Sequence, residues 1–320
     1  MATRVHHPCR GRVTMAVAVL AGALGLLCSG CTPEGPADIE AASVHSPGVN
    51  WTAVQQAIGT ELAAEDGGVH TAEWLRTDLH VVNAGITESP GMELGAEASF
   101  HETSPGKVVV IGEATLTEDE LSKVADRLQQ GGVEITAIHK HLQAESPRLW
   151  WLHYAAYGEP VHIAHAVHAA LAATGIPARR PSETHSPLAL DTAALDRVIG
   201  AKGEIEHGTY HFHVPVTQKV TDTRARVTLP YLMEASSLLM FQPLGAGRAA
   251  VNGDFVMTAD QVNPVIKALR SRGITIIELH NHMLHEQPRL FYLHFWATGQ
   301  ATALAHSLRA GLDQLHAPST

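Results

Sequence analysis

Cysteine is nearly missing from this chain. Of three in 320 residues, Cys9 and Cys28 fall within the first thirty, so beyond them neither a disulfide framework nor a cysteine-type zinc site can be built. Basic side chains are also scarce, 22 against 32 acids for a formal net charge of −10, whereas a phosphate-backbone binder needs a clustered positive surface. Nucleic acid is therefore not an expected partner. No GxSxG elbow, P-loop or HExxH helix occurs, and Gly245-Ala246-Gly247 lacks the context and third glycine of a dinucleotide site. The abundant residue is histidine, with 22 copies, the side chain that titrates near neutrality and most often ligates metals. A composition 45% hydrophobic and 17% charged still supplies an ordinary globular core.

Residues 1–30 read as a signal peptide. Arg4, Arg10 and Arg12 form a positive start, and Val13 to Leu27 is a charge-free run of 15 residues, short of the roughly 20 that span a bilayer. Leu27-Cys28-Ser29-Gly30-Cys31 then resembles the lipobox of bacterial lipoproteins, although Cys28 stands where leucine is usual. That resemblance implies lipidation at Cys31 and an exported protein attached to the outer face of the cytoplasmic membrane or cell envelope, with the membrane as its partner. A cleaved signal with a soluble product and an uncleaved anchor are the alternatives. Removing residues 1–30 takes away three arginines and no acid, which leaves a formal charge of −13. Residues 31–48, rich in Pro, Gly, Ala and Glu, read as a flexible tether.

The remainder repeats itself at an offset of 141 residues without a gap. Between Gly132–Gly158 and Gly273–Gly299, 12 of 27 positions are identical, among them His139/His280, His141/His282, Glu145/Glu286, Arg148/Arg289 and His153/His294. A period this long is the size of a whole small domain. The expected organisation is repeat 1 over 49–175, a Pro-rich linker over 176–188 and repeat 2 over 189–320.

Within repeat 1 the pattern reads as a short helix at Trp51 to Ile58, an apolar strand from Lys107, and a helix capped by Thr117 with three acids in its first turn. Gly131-Gly132 ends that helix. A strand over Val133 to Leu142, a turn, a strand over Leu149 to Tyr157 and a helix over Glu159 to Ala173 follow. The fold class is thus α+β: two tandem repeats, each an antiparallel sheet with helices on one face in the ferredoxin-like βαββα order, related by a pseudo-twofold. A fourth strand could come from Glu97 to Glu102 or from the other copy. Each uncovered sheet face needs a partner.

The stretch Leu279-His280-Asn281-His282-Met283-Leu284-His285-Glu286-Gln287-Pro288-Arg289 to Ala297, with Gly253-Asp254-Phe255 before it, resembles the LppY/LpqO family of bacterial lipoproteins, whose repeated unit is domain of unknown function 1259. The resemblance implies export and lipid anchoring and supplies no established activity or catalytic residues.

Chemistry therefore rests on the histidines. Residues i and i+2 of a strand share a face, so His139 with His141, and His280 with His282, can share a metal. A suitable hairpin register adds His153 and His294, and Glu145 and Glu286 at the hairpin tips are candidate oxygen ligands. Such a set suits a divalent transition metal, Zn or Cu first among them. The same residues could instead form a structural polar network or a metal-free ligand pocket. The His-x-His-x3-Glu spacing also resembles the first cupin motif, so a cupin-like β-barrel is the minority fold; no second cupin motif is found, and a capped helix before the strand fits a barrel poorly.

Two functions follow: a lipid-anchored metal-binding module, or a hydrolase-type enzyme in which the metal activates water and Glu286 or His285 is general base. A non-metal ligand-binding lipoprotein is the third reading. Arg148 and Arg289 are candidates to orient the glutamates. Lys140 and Ala144 stand where repeat 2 has Asn281 and His285, so repeat 2 is expected to bind more tightly. His207, His211 and His213 cluster in repeat 2, and His211 with its counterpart His70 are reserve ligands. His162, His165 and His168 make a helical stripe that reads as a solvated face, since repeat 2 keeps only the middle member, His306.

Overall fold

The computed structural model describes residues 48–178 and 188–315, all within one compact unit. The signal, the lipobox with Cys31 and most of the linker lie outside the described residues.

Repeat 1 opens with α1 (Trp51–Ile58), β1 (Ala63–Ala64), β2 (Val69–Leu75), β3 (Val82–Asn83) and β4 (Ile86–Thr87). It continues with β5 (Gly95–Ser104), β6 (Lys107–Thr117), α2 (Glu118–Gln130), β7 (Glu134–His139), β8 (Glu145–Ser146), β9 (Leu149–Gly158) and α3 (Pro160–Leu171). Repeat 2 gives the same succession: α4 (Thr192–Ile199), β10 (Glu204–Glu206), β11 (Thr209–Pro215), β12 (Thr221–Asp222), β13 (Val227–Thr228), β14 (Ser236–Gly245), β15 (Arg248–Met257), α5 (Val262–Arg270), β16 (Thr275–His280), β17 (Glu286–Gln287), β18 (Phe291–Gln300) and α6 (Ala301–Leu315). The sheets run β1-β2-β5-β6-β9-β7 and β10-β11-β14-β15-β18-β16, all antiparallel, and each repeat adds a small three-stranded sheet, β4-β3-β8 or β13-β12-β17. Both main sheets are open at their edges, which overturns the cupin-like barrel. The missing fourth strand is β5, paired with β6 in the same repeat.

Local chemistry explains the elements. Thr117 and Glu120 make a reciprocal capping box that starts α2. Alternation along β6 then divides the sheet. Val108 and Val110 face the helices and pack with Val124 and Val167, while Val109 and Ile111 face the other repeat. Their partners there are Leu229, Met233, Met283 and Tyr292 of repeat 2. The mirror contact sets Leu94, Leu149 and Trp151 of repeat 1 against Met240, Ala250 and Trp296. Each repeat therefore uses its loops to cover the other's sheet, and every large side chain so buried contributes roughly 1.5–3 kcal/mol.

The strand expected over Val133 to Leu142 stops at His139. Beyond it the Lys140 N–H donates to Glu278 Oε2 of the other repeat at 2.7 Å, which takes the donor a longer ladder would need. Beyond a bulge between Ile135 and Ala137 the register is regular, with Ala137 opposite His153 and His139 opposite Trp151, so His139 and His153 share the face turned toward repeat 2.

Candidate metal centre

The two histidine trios expected as separate sites meet in one place. His139 stacks on His280 with ring centroids 3.5 Å apart, His141 on His294 at 3.8 Å and His153 on His282 at 3.8 Å. These pairings are the exchange that a twofold relating residue n to n+141 requires. Trp151 backs His141 at 4.3 Å and Tyr292 backs His282 at 3.6 Å, so aromatic walls fix both ends of the stack. Ligand atoms of His139, His280, His282 and His294 lie within 4.8 Å of one another, as do those of His139, His141 and His153, and those of His153, Glu234 and His282.

Five of the six imidazoles are buried and His280 is nearly so. Ten of their twelve ring nitrogens have no directed hydrogen bond. The two that do are informative. His294 Nδ1 donates to the Gly253 carbonyl at 3.1 Å and His282 Nδ1 to Glu234 Oε2 at 2.6 Å. Each bond holds the proton on Nδ1 and leaves a buried Nε2 lone pair without a hydrogen bond, the usual tautomer of a metal-ligating imidazole. Burial, followed by mutual repulsion among the rings, holds His139, His141, His282 and His294 well below the ordinary imidazole range; burial pushes His280 down to about 3. These five rings are therefore neutral and ready to coordinate at physiological pH.

The carboxylates of the site were not among the expected residues. Glu93 and Glu113 of repeat 1 and their equivalents Glu234 and Asp254 line an 80 Å³ cavity against His282. Glu93 Oε2 lies 3.1 Å from His141 Nδ1, Glu113 Oε2 3.2 Å from His153 Nε2, and Glu234 Oε1 3.6 Å from His153 Nδ1. Burial first, then the neighbouring acids, raise Glu93 and Glu113 well above the carboxylate range, and Asp254 is pushed up to about 8. Glu93 and Glu234 both sit in the left-handed region, φ 55° and 60°, which costs an L-residue roughly 1–2 kcal/mol. A signal for these acids was present: the 141-residue offset pairs Glu93 with Glu234 and Glu113 with Asp254.

Other expected members lie elsewhere. Glu145 and Glu286 are in β8 and β17, which pair with β3 and β12 of the small sheets, and neither enters a group of convergent ligand atoms among the described residues. Lys140 and the Leu149 N–H hold Glu145; Arg289 at 3.1 Å and the Leu290 N–H at 3.3 Å hold Glu286. Arg289 thus contacts Glu286, away from the histidine cluster. Arg148 does not orient Glu145; it extends into solvent, 3.8 Å from Glu118. His285 lies 3.3 Å from Glu134 of repeat 1, and neither it nor Glu286 enters a group of convergent ligand atoms with the six histidines among the described residues. Lys140 and Asn281 have one shared task, donating to the carbonyls of Leu149 and Leu290. His70 stacks on Trp51 at 3.7 Å. His162, His165 and His168 are exposed, with His168 Nδ1 donating to the Ile58 carbonyl.

These features define a tandem α+β protein whose two halves jointly build a buried imidazole–carboxylate site. The chain belongs to the family described as Domain of Unknown Function (DUF1259), whose model matches residues 52–173 and again 193–314, displaced by the same 141 positions. No curated protein matches. Among solved structures, the chain is similar to a double-ringed trimeric shell protein from the RMM microcompartment (14% identity, 68% of this chain and 86% of that one, TM-score 0.19). It is also similar to the trimeric microcompartment shell protein PduB (12%, 79% and 89%, TM-score 0.20) and to EutL from Clostridium perfringens (9%, 64% and 79%, TM-score 0.16). Scores this low carry no argument about assembly or function.

Proposed function

We propose that this protein is a cell-envelope metal-binding lipoprotein whose two repeats together hold a divalent transition metal, Zn or Cu, between six histidines. The observation that carries the reading is the set of ten buried ring nitrogens without hydrogen bonds, since each orphaned polar atom costs about 1–3 kcal/mol unless something occupies it. A dication accepts the lone pairs of neutral imidazoles and offsets the repulsion among Glu93, Glu113, Glu234 and Asp254. Imidazole ligands sit about 2.0–2.1 Å from Zn, and the overlapping groups of ligand atoms, each within 4.8 Å, are dense enough for more than one ion.

Sequestration or delivery fits better than hydrolysis, because of the two residues expected as general base Glu286 is tied into a small sheet and His285 lies against Glu134 of repeat 1. The resemblance to LppY/LpqO lipoproteins and the lipobox support attachment through lipidated Cys31; among the described residues no helix is long and apolar enough to cross a membrane. Cys31→Ala should release the protein from the membrane fraction or leave the precursor unprocessed, and unchanged partition of a processed mutant would remove the anchor. For the metal, titration of the metal-free protein with Zn²⁺, read by calorimetry and elemental analysis, should show tight binding that the His280→Ala, His282→Ala double variant loses. Full retention by that variant would defeat the reading.

A further inference from the structure

We propose that Glu206, His211 and His213 form a second divalent transition-metal site, at the mouth of the cleft that leads inward to the histidine cluster. The hairpin of β10 and β11 builds it. Thr209, His211 and His213 share one face of β11, and Glu206, paired with Thr209 at the turn end of β10, stands on that same face. Glu206 Oε2 lies 3.0 Å from His211 Nδ1 and Oε1 lies 3.7 Å from His213 Nε2. Tetrahedral ligand atoms bound at about 2.0–2.1 Å are about 3.3 Å apart, between those two separations.

The orientation of His211 carries the argument further. This ring is buried, and its Nε2 donates to the Gly91 carbonyl of repeat 1 at 2.9 Å. Thr209 Oγ1 also lies 2.6 Å from Nε2, but its own proton goes to the Glu206 carbonyl at 2.7 Å, and a carbonyl cannot donate; the hydrogen is therefore on Nε2, and the neutral ring presents its Nδ1 lone pair to a carboxylate oxygen. Two acceptors at 3.0 Å repel unless a cation lies with them, either a second proton or a metal ion. Repeat 1 shows that the fold does not require the trio. Its equivalents are Glu65, His70 and Ala72, and there His70 stacks on Trp51 instead.

Location suggests what the site does. His213 lines both the inner cavity that touches His282 and an outer cleft of about 760 Å³ walled by Glu65, Asp66, Glu73, Glu97 and Glu204. Acid-lined clefts concentrate cations. Lys202 on that wall is engaged by Asp196 at 2.7 Å. The site therefore captures an incoming cation and stands one residue from the inner cavity. Its existence is independent of the central site; its role as an entry point rests on that reading.

The test uses the full metal-free chain titrated with Co²⁺, following the visible absorption of the bound ion and stoichiometry by native mass spectrometry. Glu206→Gln and His211→Ala should each weaken one equivalent by roughly tenfold or more while the other equivalents bind as before. In a His282→Ala, His294→Ala background the outer equivalent should persist. Stoichiometry and affinity unchanged in both outer variants would overturn the proposal, as would loss of every equivalent in the inner background. Unchanged binding in the inner background with loss in the outer variants would instead defeat the central site and leave this one standing. A His211 imidazolium that persists in excess Zn²⁺, seen by ¹⁵N NMR, would also overturn it.

Discussion

If the two repeats build one centre, damage to repeat 1 must impair binding by repeat 2, and His139 is the residue with which to ask. Its ring lies 3.5 Å from His280, 5.3 Å from His282 and 5.1 Å from His294, so it belongs to the ligand group of the other repeat as much as to its own. Removing a group that merely orients a ligand costs 10–100-fold in metal affinity, and loss of a ligand should cost at least the upper figure, ~2.7 kcal/mol. His139→Leu is the sharper variant because it fills much of the ring's volume and removes two ring nitrogens that lack partners. Metal-free, it should unfold at the same urea concentration as the parent or higher, since orphaned polar atoms cost about 1–3 kcal/mol each. In saturating Zn²⁺ the parent should gain stability that the variant does not. Paired urea titrations with and without Zn²⁺, alongside calorimetry, read both effects. Measured in a Glu206→Gln background that removes the outer equivalent, a His139→Leu protein that keeps part of the remaining metal at parental affinity would show two independent sites and refute the joint centre.

Acidity should act with opposite sign on the two sets of buried groups. His280, depressed to about 3, contributes stability that is complete above 6.5 and is lost as pH falls below that value; Asp254, raised to about 8, contributes stability complete below about 4 and lost as pH rises toward 8. Above pH 6.5 the raised acids titrate, and His213, raised above its ordinary value, acts in the same direction, so metal-free stability should fall by up to about 1.4 kcal/mol per pH unit for Asp254, and bound metal should flatten that slope; thermal scans from pH 6.5 to 8 with a rising or flat metal-free curve would contradict the assignment. Zn²⁺ binding at pH 7 should release protons from the acids, measured by calorimetry in buffers of different ionisation enthalpy. Gly253→Ala should cost several kcal/mol and loosen His294, because at φ 130° an added Cβ would collide with the Leu238 carbonyl oxygen; denaturant midpoints within about 0.5 kcal/mol of the parent would contradict the packing.

Much of this was legible in one dimension. The 141-residue offset, the Thr117 N-cap of α2 and the continuous apolar run Val108 to Ile111 of β6 are local or internal patterns, and they specify two α+β units whose sheets need cover on the face that their own helices leave bare. Histidines at i and i+2 specify a shared face for the same reason, the period-two geometry of a strand. Which residues meet across the bare faces was decided only by tertiary structure, because a twofold exchange has no signature in sequence spacing. It turned two expected trios into one cluster of six, set His139 against His280, and brought Glu93 and Glu234 from loops to the ring nitrogens. It also drew Glu145 and Glu286 away, since β8 and β17 pair with the small sheets and their carboxylates cap their own hairpins. Residues nearest to the histidines along the chain were thus not those nearest in space, because two sheet faces had to cover each other.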